Sequence, residues 1–195
     1  MKNGKILPAS FYDREVVEVA RDLLGMRLVR WQDGTRISGI IYEAEAYRGE
    51  EDLACHARVG RTKRTEIMYG PAGRAYIYFT YGMHWCLNCV CGEEGFPAAV
   101  LLRAIEPIEG LEIIAERRRG VERKLWCNGP AKITKSLGLT GTQNGVNLCS
   151  KEGGLWIEQG ESISTERIVA GPRVGMGSTP EPWFSMPWNF RIKPE

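Results

Sequence analysis

The chain has no apolar run approaching the ~20 residues that span a bilayer, and its start, M-K-N-G-K-I-L-P, lacks the apolar stretch of a secretory signal. An intracellular protein with no membrane partner is therefore expected. A strong charge of either sign is also missing: the formal net charge is +2 at pH 7, too weak by itself to argue for a nucleic-acid partner. No internal repeat, coiled-coil heptad or long linker divides the 195 residues, so one domain over 1–195 is expected. The content of 43% hydrophobic and 26% charged residues suits an ordinary globular domain with a real core.

Cysteine is present, but not in the arrangement a structural metal site needs. Cys86, Cys89 and Cys91 lie close together, with Cys55, His56 and His84 as further donors, yet Cys127 and Cys149 stand apart and no second compact pair exists. On a regular strand Cys86 also faces away from Cys89 and Cys91. Free buried thiols in a reducing compartment are expected, with no metal, no cofactor and no disulfide framework.

Aromatic rings, by contrast, are concentrated. Tyr76 to Asn88 reads Y-I-Y-F-T-Y-G-M-H-W-C-L-N, crowded around Gly82, which permits a tight turn. Strand alternation puts Tyr76 and Tyr78 on one face and Tyr81 at the reversal. Rings on a wall and at a tip offer planar ligands, nucleobases above all, a stacking surface. An aromatic core hairpin is the plainer reading of the segment taken alone.

Upstream, I-I-Y-E-A-E-A-Y from Ile40 to Tyr47 places Glu43, Glu45 and Tyr47 on one strand face and Tyr42, Ala44 and Ala46 on the other. The alanines allow close packing behind the strand. Two acids and a ring then stand in front, candidates for general acid or base work, with a solvated strand face as the alternative. Charge is local as well. Arg58, Arg61, Lys63, Arg64 and Arg74 are set against Glu66 alone, and Arg117, Arg118, Arg119, Arg123 and Lys124 are diluted only by Glu116 and Glu122. Each run reads first as a solvated loop or helix; flanking an aromatic hairpin, the two together suggest a phosphate-tracking surface.

The element pattern predicts an opening helix capped by Ser10, with Asp13 and Glu15 in its first turn, and closed by Gly25. Strands are predicted over 26–31, 37–47, 74–80, 85–91 and 98–104, the first two joined through Gln32, Asp33 and Gly34. Helices follow over 109–118 and 130–137, with Pro130 in the favoured first turn, then strands near 155–158 and 166–169. The proline-bearing tail from Thr179 reads as an extended surface wrap. Strands joined by short turns, with helices segregated rather than alternating, argue for an α+β fold.

Taken in order, E-A-Y at Glu45 to Tyr47, His56, Y-x-Y-x-x-Y-G-M from Tyr76 to Met83, Asn88, L-L-R-A at Leu101 to Ala104, G-P-x-K at Gly129 to Lys132 and R-V-G-M-G at Arg173 to Gly177 resemble the alkyladenine (3-methyladenine) DNA glycosylase family. L-P-A-S-F-Y and A-R-D-L-L-G near the start are similar too, so the likeness runs from about Leu7 to Arg191. The resemblance implies one α+β domain on a curved antiparallel sheet, with peripheral helices and a protruding DNA-probing β-hairpin. It implies a monomeric, monofunctional enzyme of base-excision repair whose partner is double-stranded DNA with damaged purines: 3-methyladenine, 7-methylguanine, hypoxanthine or ethenoadenine.

By the same resemblance Glu45 activates water, with Arg103 and the backbone carbonyl of Val174 holding that water. Tyr47 and Tyr78 stack on the extruded base, His56 contacts its edge with Tyr76 orienting it, and Asn88 disfavours normal guanine. Tyr81 is the intercalating wedge, and Arg61, Arg64, Met83, His84 and Lys132 contact DNA. Glu43 is the fallback base, with a structural role as its first reading. Lys63 and His84 depart from the family pattern, where proline and an aromatic residue are usual. Two alternatives stay open: a non-catalytic nucleic-acid-binding module using the same hairpin and basic runs, and a zinc-dependent nucleic-acid protein.

Overall fold

The structure, a computed structural model, describes residues 4–193. Among them one open antiparallel sheet carries eight strands: β1 (Arg27–Gln32), β2 (Thr35–Arg48), β3 (Ala75–Thr80), β4 (His84–Cys91), β5 (Ala98–Glu109), β6 (Leu155–Glu158), β7 (Ile168–Gly171) and β8 (Asn189–Ile192). The main path runs β3-β4-β5-β2-β1-β6, and β8 pairs with both β2 and β7. Four α-helices lie around it: α1 (Ala9–Tyr12), α2 (Val16–Asp22), α3 (Leu111–Arg117) and α4 (Pro130–Leu137). The architecture is α+β, as the order of strands and helices predicts. No helix among the described residues is long and apolar enough to cross a membrane.

Most strand boundaries follow from alternation and turn chemistry. Asp33 and Gly34, at φ 49° and 75°, close the two-residue β1–β2 hairpin, a geometry that matches strand twist and favours these residue types. Ile37, Ile41, Ala44 and Ala46 of β2 and Val100, Leu102 and Ile105 of β5 face the main core, where α2 and α4 cover the sheet. Pro130 opens α4, and Gly138, left-handed at φ 64°, ends it.

The β2–β5 ladder breaks the simple alternation. Ile41 pairs with Ile105 and Glu43 with Ala104, but Ala44 pairs with Leu102, so Tyr42 is the extra residue on one strand and Arg103 on the other. Bulges of this kind re-aim side chains. Here they turn Arg103 toward Glu43 and Glu45 and leave Tyr42 half-buried, outside the main core that holds Ala44 and Ala46. The expectation that Tyr42 shares the alanines' face is thereby corrected.

Two further expectations change. The opening helix is two helices: Ser10 lies inside α1 rather than capping it, and α2 begins only at Val16. α1 ends at the buried Tyr12, whose ring packs on Phe11 at 5.2 Å, and Asp13 after it is no longer helical. The tail lies at the surface over 179–187 but is not extended throughout. It turns through 181–185 and returns as β8, placing Asn189 opposite Glu45.

Candidate active site

The β2 segment 43–47 carries a dense polar network. The Glu45 side chain has no exposed surface, yet its carboxylate receives four donors. Oε1 accepts from the Val174 amide at 2.7 Å and from Asn189 Nδ2 at 3.0 Å; Oε2 accepts from the Tyr47 hydroxyl at 2.9 Å and from Arg103 Nη1 at 3.4 Å. Four donors fill the lone-pair sites of the group and offset the cost of burying it. Burial first, then Glu45 itself, pushes the Tyr47 hydroxyl well above the usual range, so it remains a donor. Glu43 shares the same partners, 3.4 Å from Arg103 Nε and 2.8 Å from Asn189 Nδ2.

The turn that supplies the Val174 amide is held from below. Arg173 is buried, bidentate to Asp52 at 2.5 and 2.9 Å, and donates to the carbonyls of Ala46 at 3.0 Å and Trp183 at 3.1 Å. Its guanidinium lies between the rings of Tyr47 and Trp188, at 4.8 and 5.0 Å. Asp52 also accepts from the amides of Arg48 and Ala54. Of Val174, it is the amide that meets Glu45; the expectation had named its carbonyl, as a group holding water.

Above Glu45 opens a cavity of about 260 Å³, lined by Tyr47, Arg103 and Val174 on one side and by His56, Tyr76, Tyr78 and Asn88 on the other. Glu45 lies just beneath the first three. Cross-strand pairs Tyr78–Cys86 and Tyr76–Asn88 put those four residues on the cavity face of the β3–β4 hairpin, while Ile77, Leu87 and Cys89 face the core. Cys86 thus points away from Cys89 and Cys91, as the strand alternation predicts. No group of three or more metal-ligating side chains occurs among the described residues.

His56 stands edge-on to Tyr78 at 4.5 Å, and the rings of Tyr76 and Tyr78 are 5.5 Å apart. Its Nδ1 lies 3.0 Å from the Tyr76 hydroxyl and its Nε2 3.3 Å from Arg64 Nη2. A guanidinium can only donate, so Nε2 accepts and the ring proton sits on Nδ1, donated to Tyr76. Burial, then Arg64 and Arg58, lowers the His56 pKa to about 4, and burial raises Tyr76 to about 12. Both are neutral at physiological pH.

The hairpin tip is the most exposed apolar feature nearby, with Tyr81 88% and Met83 67% accessible. Tyr81 and Gly82 have φ of 51° and 66°, and the Met83 amide donates to the Thr80 carbonyl, giving a turn with two left-handed central residues. A tyrosine there is strained, and its ring is exposed. His84 is exposed beside it.

Of the basic residues, Arg64 lies over Tyr78 at 5.0 Å and Arg61 over Tyr69 at 5.1 Å, both exposed. Lys132 sits on α4, two residues past the cavity-lining Pro130, and donates to Asn128. The second basic run is not one free cationic face. Arg117 is held by the Ser136 carbonyl and Gln32, Arg118 by the Leu125 carbonyl, and Lys124 pairs with Glu122.

Compared with known proteins, residues 10–195 match the family model described as methylpurine-DNA glycosylase. The chain belongs to the methylpurine-DNA glycosylase family. It is 45% identical to a protein of Methanocella arvoryzae over 96% of this chain and 92% of that one, 44% identical to one of Carboxydothermus hydrogenoformans over 96% and 95%, and 46% identical to one of Myxococcus xanthus over 96% and 90%. Each of these is named "Putative 3-methyladenine DNA glycosylase".

In this family member Tyr47, His56, Tyr76, Tyr78, Asn88, Arg103 and Val174 line one cavity, and Glu45 is hydrogen-bonded to three of them. Three groups escaped the sequence reading. Asn189 was lost with β8, although the alternation of Phe190 and Ile192 after Pro187 is a short strand signal. Asp52 and Arg173 lie 121 residues apart, and nothing local pairs them. Cys55 and Cys86 line the cavity but read in sequence as buried thiols or metal-ligand candidates, not as pocket residues.

Proposed function

We propose that this protein is a base-excision-repair glycosylase that extrudes an alkylated or deaminated purine from duplex DNA and hydrolyses its bond to deoxyribose C1′, leaving an abasic site. One observation carries the reading: a buried carboxylate, Glu45, lies within 3.4 Å of the Arg103 guanidinium, directly beneath an aromatic-walled cavity. A module that only stacks bases needs no acid beneath its cavity, whereas hydrolysis needs a base there.

Extruding a base costs a few kcal/mol, least where the base is damaged or mispaired. Tyr81, exposed at the tip of its turn, fills the gap left in the stack. The purine enters between Tyr47 and the Tyr76–Tyr78 wall, its edge meeting His56. As the C1′–N bond lengthens, its electron pair passes to the purine and the sugar gains oxocarbenium character. Glu45 takes a proton from water as the water oxygen bonds to C1′, and its charge faces the developing cation. Arg103, 3.4 Å from Oε2, holds the carboxylate in place beside the water.

A cationic purine such as 3-methyladenine or 7-methylguanine leaves readily. Neutral hypoxanthine or ethenoadenine needs a proton, and His56, neutral at physiological pH, serves as an edge contact rather than its source. No lysine is among the described residues lining the cavity, which supports a monofunctional, water-based reaction without a Schiff base. The test is incubation with duplexes bearing a single 3-methyladenine, 7-methylguanine, hypoxanthine or ethenoadenine, with chelator present. Abasic sites at one or more lesions support the reading; none at any lesion overturns it.

A further inference from the structure

The two oxygens of Glu45 are held by different kinds of partner. Oε1 is gripped by two donors on the C-terminal part of the chain: the Val174 amide and Asn189 Nδ2, the latter on the strand directly across from Glu45. Oε2 is met by Tyr47 and, at the longer 3.4 Å, by Arg103, both of which line the cavity. The oxygen free to exchange a partner for water is therefore Oε2.

Asn189 is 6% exposed, and its one NH2 group serves two acids, Glu43 at 2.8 Å and Glu45 at 3.0 Å. Arg103 spans the same two acids from β5. The four side chains form a closed ring in which a neutral amide carries no charge of its own yet donates to both carboxylates. Both protons of an amide are needed for this, and no acceptor-only group of the same shape can supply them.

We propose that Asn189 is a positioning residue for Glu45: its bridge to Glu43 fixes Oε1, so that Oε2 alone is presented to the attacking water. The inference rests on the reading of Glu45 as the base and adds to it the part played by β8. The charged or titratable groups facing this ring are Glu43 and Tyr47 on β2, Arg103 on β5, Arg173 on the turn behind Tyr47, and Arg191, opposite Glu43 on β8.

The experiment compares Asn189→Leu, Asn189→Asp and the parent in single-turnover base release and in lesion-duplex affinity. Asn189→Leu is expected to slow release at least tenfold while affinity changes less than threefold. Asn189→Asp is expected to be slower still at pH 8, and its deficit against the parent to shrink toward pH 5.5, where a carboxyl at position 189 takes up a proton and regains a donor. A purely structural role would leave that ratio flat with pH. Release by Asn189→Leu within twofold of the parent, or a pH-independent Asn189→Asp deficit, overturns the proposal; should Asn189→Asp fail to fold, Asn189→Leu decides. If the parent itself releases no base, it is the proposed function that fails. The bridge is then judged by thermal unfolding of Asn189→Leu, Glu45→Leu and the double variant: non-additive midpoints uphold it and additive ones overturn it.

Discussion

Arg173 and Asp52 form a buried bidentate ion pair, at 2.5 and 2.9 Å, that ties the turn bearing Val174 to the end of β2. Because Val174 then donates to Glu45, the pair sets one side of the candidate catalytic carboxylate. Removing Asp52 leaves a guanidinium buried without its counter-charge. Asp52→Ala is expected to cost about 3–5 kcal/mol in urea unfolding. Adding Arg173→Met to it is expected to recover part of that loss, since the unpaired charge goes too. A double variant less stable than Asp52→Ala would show that the pair is not what holds this turn.

Tyr81 occupies a left-handed turn position that suits asparagine better. Tyr81→Asn is therefore expected to raise stability by about 1 kcal/mol through relief of strain, while weakening action on paired lesions far more than on single strands. Stability is read from unfolding midpoints and action from single-turnover rates on matched substrates. Equal losses on duplex and single strand would remove the wedge role.

His56 is held neutral by burial and by Arg64 and Arg58, with a pKa of about 4 in the fold against roughly 6.5 when unfolded. The unfolded chain thus binds the proton more readily between these values. Its contribution to stability is fully present above pH 6.5 and is lost as pH falls toward 4. NMR titration of the imidazole is expected to find the depressed value, and Arg64→Ala to move it upward. An imidazole titrating near 6.5 in the parent would contradict the tautomer and contacts assigned to it.

Burial also pushes up the thiols that line the cavity, Cys55 to about 12 and Cys86 in the same direction. Neither is a thiolate at pH 7, and the thiolate is the reactive form. Iodoacetamide is expected to label both slowly in the native protein and promptly after unfolding. Rapid native labelling at either position would show an accessible, activated thiol.

Much of this site was legible because its parts are local. Glu45 and Tyr47 share a strand face, Tyr76 and Tyr78 share another, and Tyr81 precedes the one glycine that can close the hairpin. Alternation and turn chemistry determine all three. What stayed hidden is long-range. The bulge pair at Tyr42 and Arg103 depends on two strands slipping together, so alternation misplaced Tyr42. Asn189 and Val174 reach Glu45 only after the tail folds back, and four prolines between Thr179 and Pro194 masked the strand there. The second basic run shows the same limit: charge counted along a chain does not reveal that Arg117 is spent on Ser136 and Gln32.

The account rests most heavily on Glu45 as the group that activates water. Single-turnover base release and lesion-duplex affinity of Glu45→Gln, measured side by side, test it directly. The expected result is abolished release with affinity nearly unchanged. Release at even a tenth of the parent rate, a barrier change of only about 1.4 kcal/mol, would contradict it.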